Sequence, residues 1–416
     1  MVITGRGHRR RPMRPSAPGH RRRSPGLVRR FWAHRSVKAV TVGLVVLLCW
    51  VGFSVGQALT APGNTGASAR LAEWARDHYL GPVVTFGEWI SYNPPKAGGK
   101  PQFSLTAPSS QASPASPGGA AGPGGAGAKP RAGTSANPVT ADVPARLTSP
   151  AGAPLPGEGQ WRVLASVHGV PAIYGTYLRP DRVHTSYVAG IASMDPRLLQ
   201  FQLRPGHEDP GPASWGYAPY LPAGSRQGLL ATFNGGFKIN QAGGGFYLNG
   251  ITKGTLTSGA ASMVYYRDGR VAVGVWSRDV RMTSQVVGVR QNLRLIVDHG
   301  VVPTSVDQNV QGQWGATLGG GYYVWRSGVG VTRDGRVVFA YGPALSVRTL
   351  AGLLQRAGAV EAMQLDINPT WMSYMYYRST PRPADPEPVN LLPTQQEPAD
   401  RYYSINSRDF TAVFAR

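Results

Sequence analysis

Cysteine is almost absent from this chain of 416 residues, in which Cys49 stands alone. Disulfide bonds and cysteine-based metal centres are therefore excluded, and the folded part must rely on buried apolar surface. Acidic residues are also scarce, with 21 Asp and Glu against 43 Lys and Arg. Lysine is rare within the basic set, since arginine outnumbers it 37 to 6. This ratio is typical of a GC-rich genome, and we expect a bacterial protein.

The basic charge is concentrated in a tail at residues 1–38, which holds eleven Arg, one Lys and no acidic residue. An apolar segment at 39–59 follows and has the length of a transmembrane helix. By the positive-inside rule the tail is cytoplasmic and the rest of the chain lies outside, as in a single-pass cell-membrane protein. A cleaved signal peptide is the alternative, but the charged region before the apolar run is long for one. A nucleic-acid function is not expected, because the tail has no folded partner surface on its own side.

Two segments separate the apolar run from the main folded part. Residues 60–103 form a juxtamembrane segment, in which a short amphipathic helix is predicted over 67–80 and ended by Gly81-Pro82. This helix either lies against the membrane or docks on the main domain. Residues 104–156 are rich in Ala, Gly, Pro and Ser, which predicts a disordered, extended linker.

Short alternating runs dominate residues 157–416 and predict strands. Asp268-Gly269 and Asp334-Gly335 each join two such runs, which is a strong hairpin signal. One helix is predicted over 346–357, with Ser346 as its N-cap and Gly358 after its end. The fold class is therefore α+β: a strand-rich mixed-sheet domain with packed helices, preceded by one transmembrane helix and the linker.

Two features of this domain indicate a polar pocket. Glycine-rich turns at 234–237 and 243–250 let a ligand approach the main chain, and their asparagines offer donors and acceptors. Asp366 ends an apolar strand and is followed by Ile-Asn-Pro-Thr-Trp. A carboxylate at that point is well placed to face a cleft.

These motifs resemble those of the phosphodiester glycosidase family. Asn234-Gly-Gly-Phe237 is similar to the family's Asn-(Gly/Ala)-Gly-Phe-Phe, and segments 293–300, 326–336, 345–366 and 407–414 look like later family motifs in the same order. The resemblance covers about 230 to 416. The family's Asp-Gly-Gly-Gly-Ser is Asp366-Ile-Asn-Pro-Thr370 here, and Lys238 replaces the second Phe.

The resemblance implies a membrane-anchored extracytoplasmic hydrolase that cleaves a sugar-1-phosphodiester or a related cell-envelope glycan. Asp366 is the expected catalytic carboxylate and Arg326 the phosphate-binding cation, since such reactions use paired carboxyl groups and arginine grips phosphate. Asp298 is the first choice for the second carboxylate, with Glu361 and Asp307 as alternatives. The expected substrate-binding residues are Asn234, Gly235, Gly236, Phe237, Ser327, Asn368 and Thr370.

Asn234, Arg326 and Asp366 should then meet around one cleft, within about 10 Å of each other. No metal site is predicted, although a divalent cation is compatible with the Asp and Asn groups. The lost glycines favour an alternative, in which the domain is a catalytically inactive glycan- or cell-wall-binding module of the same fold.

Overall fold

The structure is a computed structural model that describes residues 27–63, 66–106, 142–308, 313–315 and 321–416. The chain divides into two compact units, residues 1–60 and 61–416. In the first unit, helix α1 spans Leu27–Thr60. Its portion Lys38–Thr60 is long and apolar enough to cross a membrane, by length and composition. The predicted basic tail lies mostly in residues 1–26, outside the described part.

The second unit begins with two helices, α2 (Ala67–Asp77) and α3 (Gly81–Ser91). We predicted a single helix that Gly81-Pro82 would end, but α2 stops at Asp77 and Tyr79 takes a positive φ of 63°. Pro82 lies in the first turn of α3, where its missing N–H has no helical partner to lose. Helix α2 docks on the main domain, because Glu73 accepts a hydrogen bond from Arg408.

Seventeen strands are described in this unit, and the pairs that they form are antiparallel where a mixed sheet was expected. In chain order they are β1 Arg162–Val167, β2 Val170–Leu178, β3 Ala189–Met194, β4 Leu199–Arg204, β5 Leu229–Asn234, β6 Phe246–Leu248, β7 Ile251–Lys253, β8 Ala261–Tyr266, β9 Val271–Val275, β10 Val286–Gln291, β11 Leu295–Val297, β12 Val324–Thr332, β13 Val337–Leu345, β14 Ala359–Gln364, β15 Tyr374–Arg378, β16 Glu387–Asn390 and β17 Phe410–Ala415. The strand-rich α+β prediction is confirmed.

The strands form three sheets around a shared apolar core. The first sheet has the order β1-β2-β3-β13-β12-β14-β11, the second β16-β15-β5-β17-β4 and the third β7-β6-β10-β8-β9. Phe233 of the second sheet packs on Phe339 of the first, with ring centroids 5.1 Å apart. The predicted hairpins are confirmed at β8–β9 and β12–β13, where Gly269 and Gly335 have φ of +81° and +86°.

One helix, α4 (Val347–Arg356), covers the other face of the first sheet with buried Leu350 and Leu354. Its predicted caps are confirmed. The Ser346 hydroxyl accepts a hydrogen bond from the Thr349 backbone N–H, and Gly358 follows the helix with φ of +93°. The helix thereby fixes the central strands β12 and β14, which carry candidate site residues at their ends.

The predicted linker has packed flanks. Its centre, residues 107–141, lies outside the described part. Leu105 and Leu147 are buried, and the Ser149 hydroxyl donates to Glu158 at 2.7 Å. A side chain at Gly157 would lie 2.6 Å from the Leu105 carbonyl oxygen, so the two flanks pack closely around this glycine.

Candidate functional site

Three predicted site residues meet where strands of the first and second sheets end. The Asn234 side-chain amide donates to the Ser327 hydroxyl at 3.0 Å. That hydroxyl in turn accepts from the Asp366 backbone N–H at 3.1 Å. Asn234 closes β5, Ser327 lies in β12, and Asp366 follows β14 by two residues. The two sheets therefore bring together the Asn234 amide, the Ser327 hydroxyl and the backbone of Asp366, which are far apart in sequence.

The Asp366 carboxyl group is buried, with 4% of the residue exposed. Its Oδ1 accepts hydrogen bonds from the backbone N–H groups of Ile367 at 2.7 Å and Asn368 at 3.0 Å. Burial raises the pKa of Asp366 to about 6, against the lowering effect of Arg408. The nearby Glu73 carboxylate raises this pKa further. Asp366 is therefore an acid that changes charge close to neutral pH, as catalytic carboxyl groups do.

Arg408 is the principal cation beside Asp366. Its guanidinium lies 4.7 Å from the centre of the Trp371 ring, and its Nη2 donates to Glu73 at 2.6 Å. Its Nε and Nη1 are buried and have no hydrogen-bond partner among the described residues. Buried donors without partners are costly, and a planar guanidinium suits the oxygens of a phosphate. Arg408 therefore has two buried donors that the described residues leave unused.

A second cation and further carboxyl groups surround Arg408. The Lys238 ammonium lies 3.5 Å from Glu73 and 3.4 Å from Asp77, both on α2. Desolvation raises the pKa of Glu208, and the negative charge of Glu73 raises it further. Lys238 and Arg408 act on Glu208 in the opposite direction. A cavity of about 490 Å³ is lined by Asp77, Glu208 and Lys238. Asp366 and Arg408 are buried and do not line this cavity, but the charge of Arg408 acts on both Glu208 and Asp366. We call the cavity together with these two charged residues the α2 cleft.

The Asn234-Gly-Gly-Phe turn, which follows β5, packs closely against Asp409 and Asn292. A Cβ at Gly235 would lie 2.1 Å from the Asp409 carboxylate, and one at Gly236 would lie 2.9 Å from Asn292. Asp409 forms a buried ion pair with Arg290 at 2.9 Å. The Gly235 N–H donates to the Asp409 carbonyl oxygen at 3.0 Å, so it is not available to a substrate as we had expected. Glycine is needed here for close packing of the chain.

Arg326 does not join Asp366, which corrects the predicted pairing. Successive residues of a strand face opposite sides, and Ser327 already points to Asn234. Arg326 is buried on the other side, where it donates to the Leu345 carbonyl at 2.8 Å and the Gln364 side chain at 2.9 Å. Burial lowers the pKa of Arg326 to about 10. Its contacts are those of a structural arginine between β12, β13 and β14.

Asp298 also lies away from Asp366. It follows β11, which pairs with β14 so that Val297 is opposite Ala362, whereas Asp366 lies beyond the other end of β14. Arg278 contacts the Asp298 carboxylate with both terminal nitrogens, at 3.0 and 2.7 Å.

Asp298, His299 and Glu361 offer potential metal ligands within 4.8 Å of one another. A divalent cation would find donors of suitable type in this cluster, which is separate from the α2 cleft. Arg278 already neutralises the Asp298 carboxylate, which makes that ligand less available to a cation.

The remaining predicted binding residues shape the loop after Asp366. Phe237 packs in a small buried cluster with Ile367 instead of facing the cleft. The Asn368 side chain accepts from the Thr370 N–H at 3.0 Å, and the Thr370 carbonyl accepts from Arg401 at 2.9 Å. Asn368 and Thr370 therefore hold the loop in one conformation.

Sequence reasoning missed the charged residues that complete the cleft. Lys238 was visible as the departure from the family's second Phe, and Arg408 as the arginine of the closing motif. Glu208 precedes Asp209-Pro210 and carried no pattern of its own. These groups converge only because helix α2 and the end of β4 reach the same edge of the second sheet.

The fold and the site together define a strand-rich domain in which a buried carboxyl group, Asp366, is influenced by the charge of a buried guanidinium, Arg408. Residues 227–366 match the family described as phosphodiester glycosidase. The resemblance predicted from the ordered motifs is thereby confirmed over these residues, and the motif at 407–414 lies outside the match. A comparison with curated proteins finds no match.

Solved structures of low identity are similar to the chain. The catalytic domain of zebrafish N-acetylglucosamine-1-phosphodiester alpha-N-acetylglucosaminidase, auto-inhibited by its pro-peptide, is 13% identical over 62% of this chain and 88% of that one, with a TM-score of 0.38. A hypothetical protein from Synechocystis is 13% identical over 61% and 64%, with a TM-score of 0.32. A putative exported protein from Burkholderia pseudomallei is 11% identical over 55% and 74%, with a TM-score of 0.26.

Proposed function

We propose that this protein is a membrane-anchored, extracytoplasmic hydrolase that cleaves a sugar-1-phosphodiester or a related linkage of the cell envelope. The family match over residues 227–366 supports the reaction class. The observation that carries the proposal is the pairing of Arg408, which has two buried unpartnered N–H donors, with the buried carboxyl group of Asp366. The apolar helix Lys38–Thr60 and the arginine-rich residues before it support the anchor and its orientation.

The cleft supplies the groups that this reaction needs. Arg408 and Lys238 bind the phosphate oxygens and stabilise the phosphate as it departs with the bridging oxygen. The bond from that oxygen to the anomeric carbon breaks through an oxocarbenium-like state, which a carboxylate on the ring side stabilises. Asp366, ionised above about pH 6, provides this carboxylate and accepts a proton from the attacking water. Glu208, which lines the cavity, is the second carboxyl group.

Helix α2 occupies the anion position of this cleft. The Glu73 carboxylate lies 2.6 Å from Arg408 and 3.5 Å from Lys238, where a phosphate would bind between the same two cations. Substrate must therefore displace Glu73, and the segment that carries α2 acts as a cover on the site. This cover distinguishes the proposed enzyme from a permanently open binding surface.

The test is release of sugar from a panel of GlcNAc-1-phosphate diesters by the full-length protein in detergent. We expect turnover by the wild type and a loss of roughly 100-fold or more with Asp366→Asn, since general acid–base groups contribute about that much. The control is Asp307→Asn, an exposed carboxyl group paired with Arg348 outside the cleft, which should retain activity.

Equal inactivity of the wild type and Asp366→Asn across the panel would refute the hydrolase. Saturable binding of the same diesters without turnover, weakened by Arg408→Ala, would then favour the glycan-binding alternative. The specific observation behind that alternative is the loss of the family's glycines after Asp366.

A further inference from the structure

Helix α3 carries an apolar stripe that faces solvent. Val83, Phe86 and Ile90 are 66%, 60% and 64% exposed, and Leu80, just before the helix, is 43% exposed. Their spacing of three to four residues places them along one side of the helix. Surface apolar residues are ordinary when scattered, but an aligned series of this kind marks a surface that binds something.

The position of α3 in the chain indicates a lipid surface as its partner. The apolar helix that can span a membrane ends at Thr60, and α3 begins at Gly81. Of the 20 intervening residues, 11 are in α2. At about 1.5 Å per helical residue and about 3.4 Å per extended residue, the connection spans at most roughly 50 Å. A chain anchored by that helix keeps α3 within this distance of the bilayer.

Charge around α3 favours the same partner. Lys96 and Lys100 follow the helix and are exposed. Glu88 is the only charged residue in the sequence of α3, and no acidic residue occurs between 89 and 106. Exposed lysines that follow an apolar stripe in the chain suit a bilayer with anionic headgroups, which attracts basic residues near its surface.

We propose that α3 is an interfacial helix whose stripe, formed by Leu80, Val83, Phe86 and Ile90, inserts into the headgroup region of the bilayer. This proposal rests on the membrane anchoring in the proposed function but not on the hydrolase activity. It assigns different roles to the two helices of the juxtamembrane segment. Helix α2 docks on the domain through Glu73, and α3 holds the domain against the membrane.

The test uses the full-length chain with Cys49→Ser, so that one introduced cysteine carries an environment-sensitive fluorophore. The label is placed at Val83→Cys, and the matched control is Val301→Cys, whose parent valine has almost the same exposure, 65%. Each protein is reconstituted into vesicles of phosphatidylcholine and phosphatidylglycerol in equal parts, and flotation establishes that the chain is in the membrane. Brominated acyl chains then report the depth of the label.

We expect a blue-shifted emission at position 83 that brominated lipid quenches at least twofold more than emission at position 301. Equal quenching at both positions in floated protein would overturn the interfacial helix while leaving the anchor intact. A shift at position 83 that depends on protein concentration and not on brominated lipid would also overturn it, since a second copy would then cover the stripe. Failure to float would remove the anchor and this proposal with it, whereas turnover of diesters would still be measurable.

Discussion

Replacing Asp366 by asparagine should stabilise the fold at neutral pH while it removes activity. The carboxyl group is buried, and its pKa of about 6 lies well above the ordinary 3.8 because burial disfavours the charged form. The difference between these two values corresponds to about 3 kcal/mol of folding free energy. Asparagine keeps an oxygen that can accept from the Ile367 and Asn368 N–H groups, so the substitution removes the charge without opening the loop.

The sign of the effect follows from proton binding. Between about pH 3.8 and pH 6 the folded protein holds a proton on Asp366 that the unfolded chain has released. The free energy of unfolding of the wild type therefore falls as pH rises through this window, by up to about 3 kcal/mol from this one group. The neutral asparagine has no such dependence. The stability difference between the variant and the wild type should be small near pH 3.5 and reach its maximum above pH 7.

The assay is urea denaturation of both full-length proteins in detergent across this pH range, followed by tryptophan fluorescence. For the Asp307→Asn control, the stability of the variant relative to the wild type should fall as pH rises. The hydrogen bonds from Arg348 hold the pKa of Asp307 below its usual value, so its ionised form is favoured in the folded state. A stability difference between Asp366→Asn and the wild type that does not change with pH, or that shrinks as pH rises, would refute the buried-carboxyl reasoning.

One further substitution tests whether Glu73 of α2 competes with substrate for Arg408, and another tests whether the turn at Gly235 is closely packed. Glu73→Gln weakens a charge-assisted contact to Arg408 that contributes roughly 1.5–3 kcal/mol, so KM for a phosphodiester should fall about tenfold or more. An unchanged or higher KM would show that Glu73 does not compete with substrate. Gly235→Ala places a methyl group 2.1 Å from the Asp409 carboxylate and should destabilise the fold by roughly 1–3 kcal/mol or more in urea denaturation. Gly224→Ala, with no atom within 4 Å of the added Cβ, is the matched control and should be near neutral; equal effects of the two would contradict the packing argument.

Local signals in the sequence were sufficient for the elements whose geometry is itself local. The helix α4 begins after Ser346 because that hydroxyl caps it, and Gly269 and Gly335 turn the hairpins because they accept positive φ. These features depend on neighbours within four residues. The family motifs added the segment that contains Asn234 and Asp366, which the structure does bring together through Ser327.

The face that a strand residue presents could not be predicted in the same way. Arg326 and Ser327 are adjacent, and the alternation of a strand states only that one of them faces each side. The decision depends on which side carries α4 and which carries the second sheet, and this is a property of the whole domain. The position of Asp298 could not be predicted for a related reason. Only the antiparallel pairing of β11 with β14 shows that Asp298 lies at the far end of β14 from Asp366.

The altered loop after Asp366 bears directly on whether the domain is active. Glycines would leave this loop free to wrap a ligand, and their loss suggested an impaired site. In the structure the Asp366 carboxylate itself accepts two N–H groups of the loop, and Ile367 is buried beside Phe237. Arg401 then fixes the Thr370 carbonyl. The substituted residues hold the carboxyl group in one position without glycine, so the loop is preorganised, and preorganised groups are what catalysis requires. The departure from the family pattern is thus compatible with turnover. Substitutions of Asp366 and of Arg408, whose buried donors have no partner among the described residues, distinguish an enzyme from a binding module.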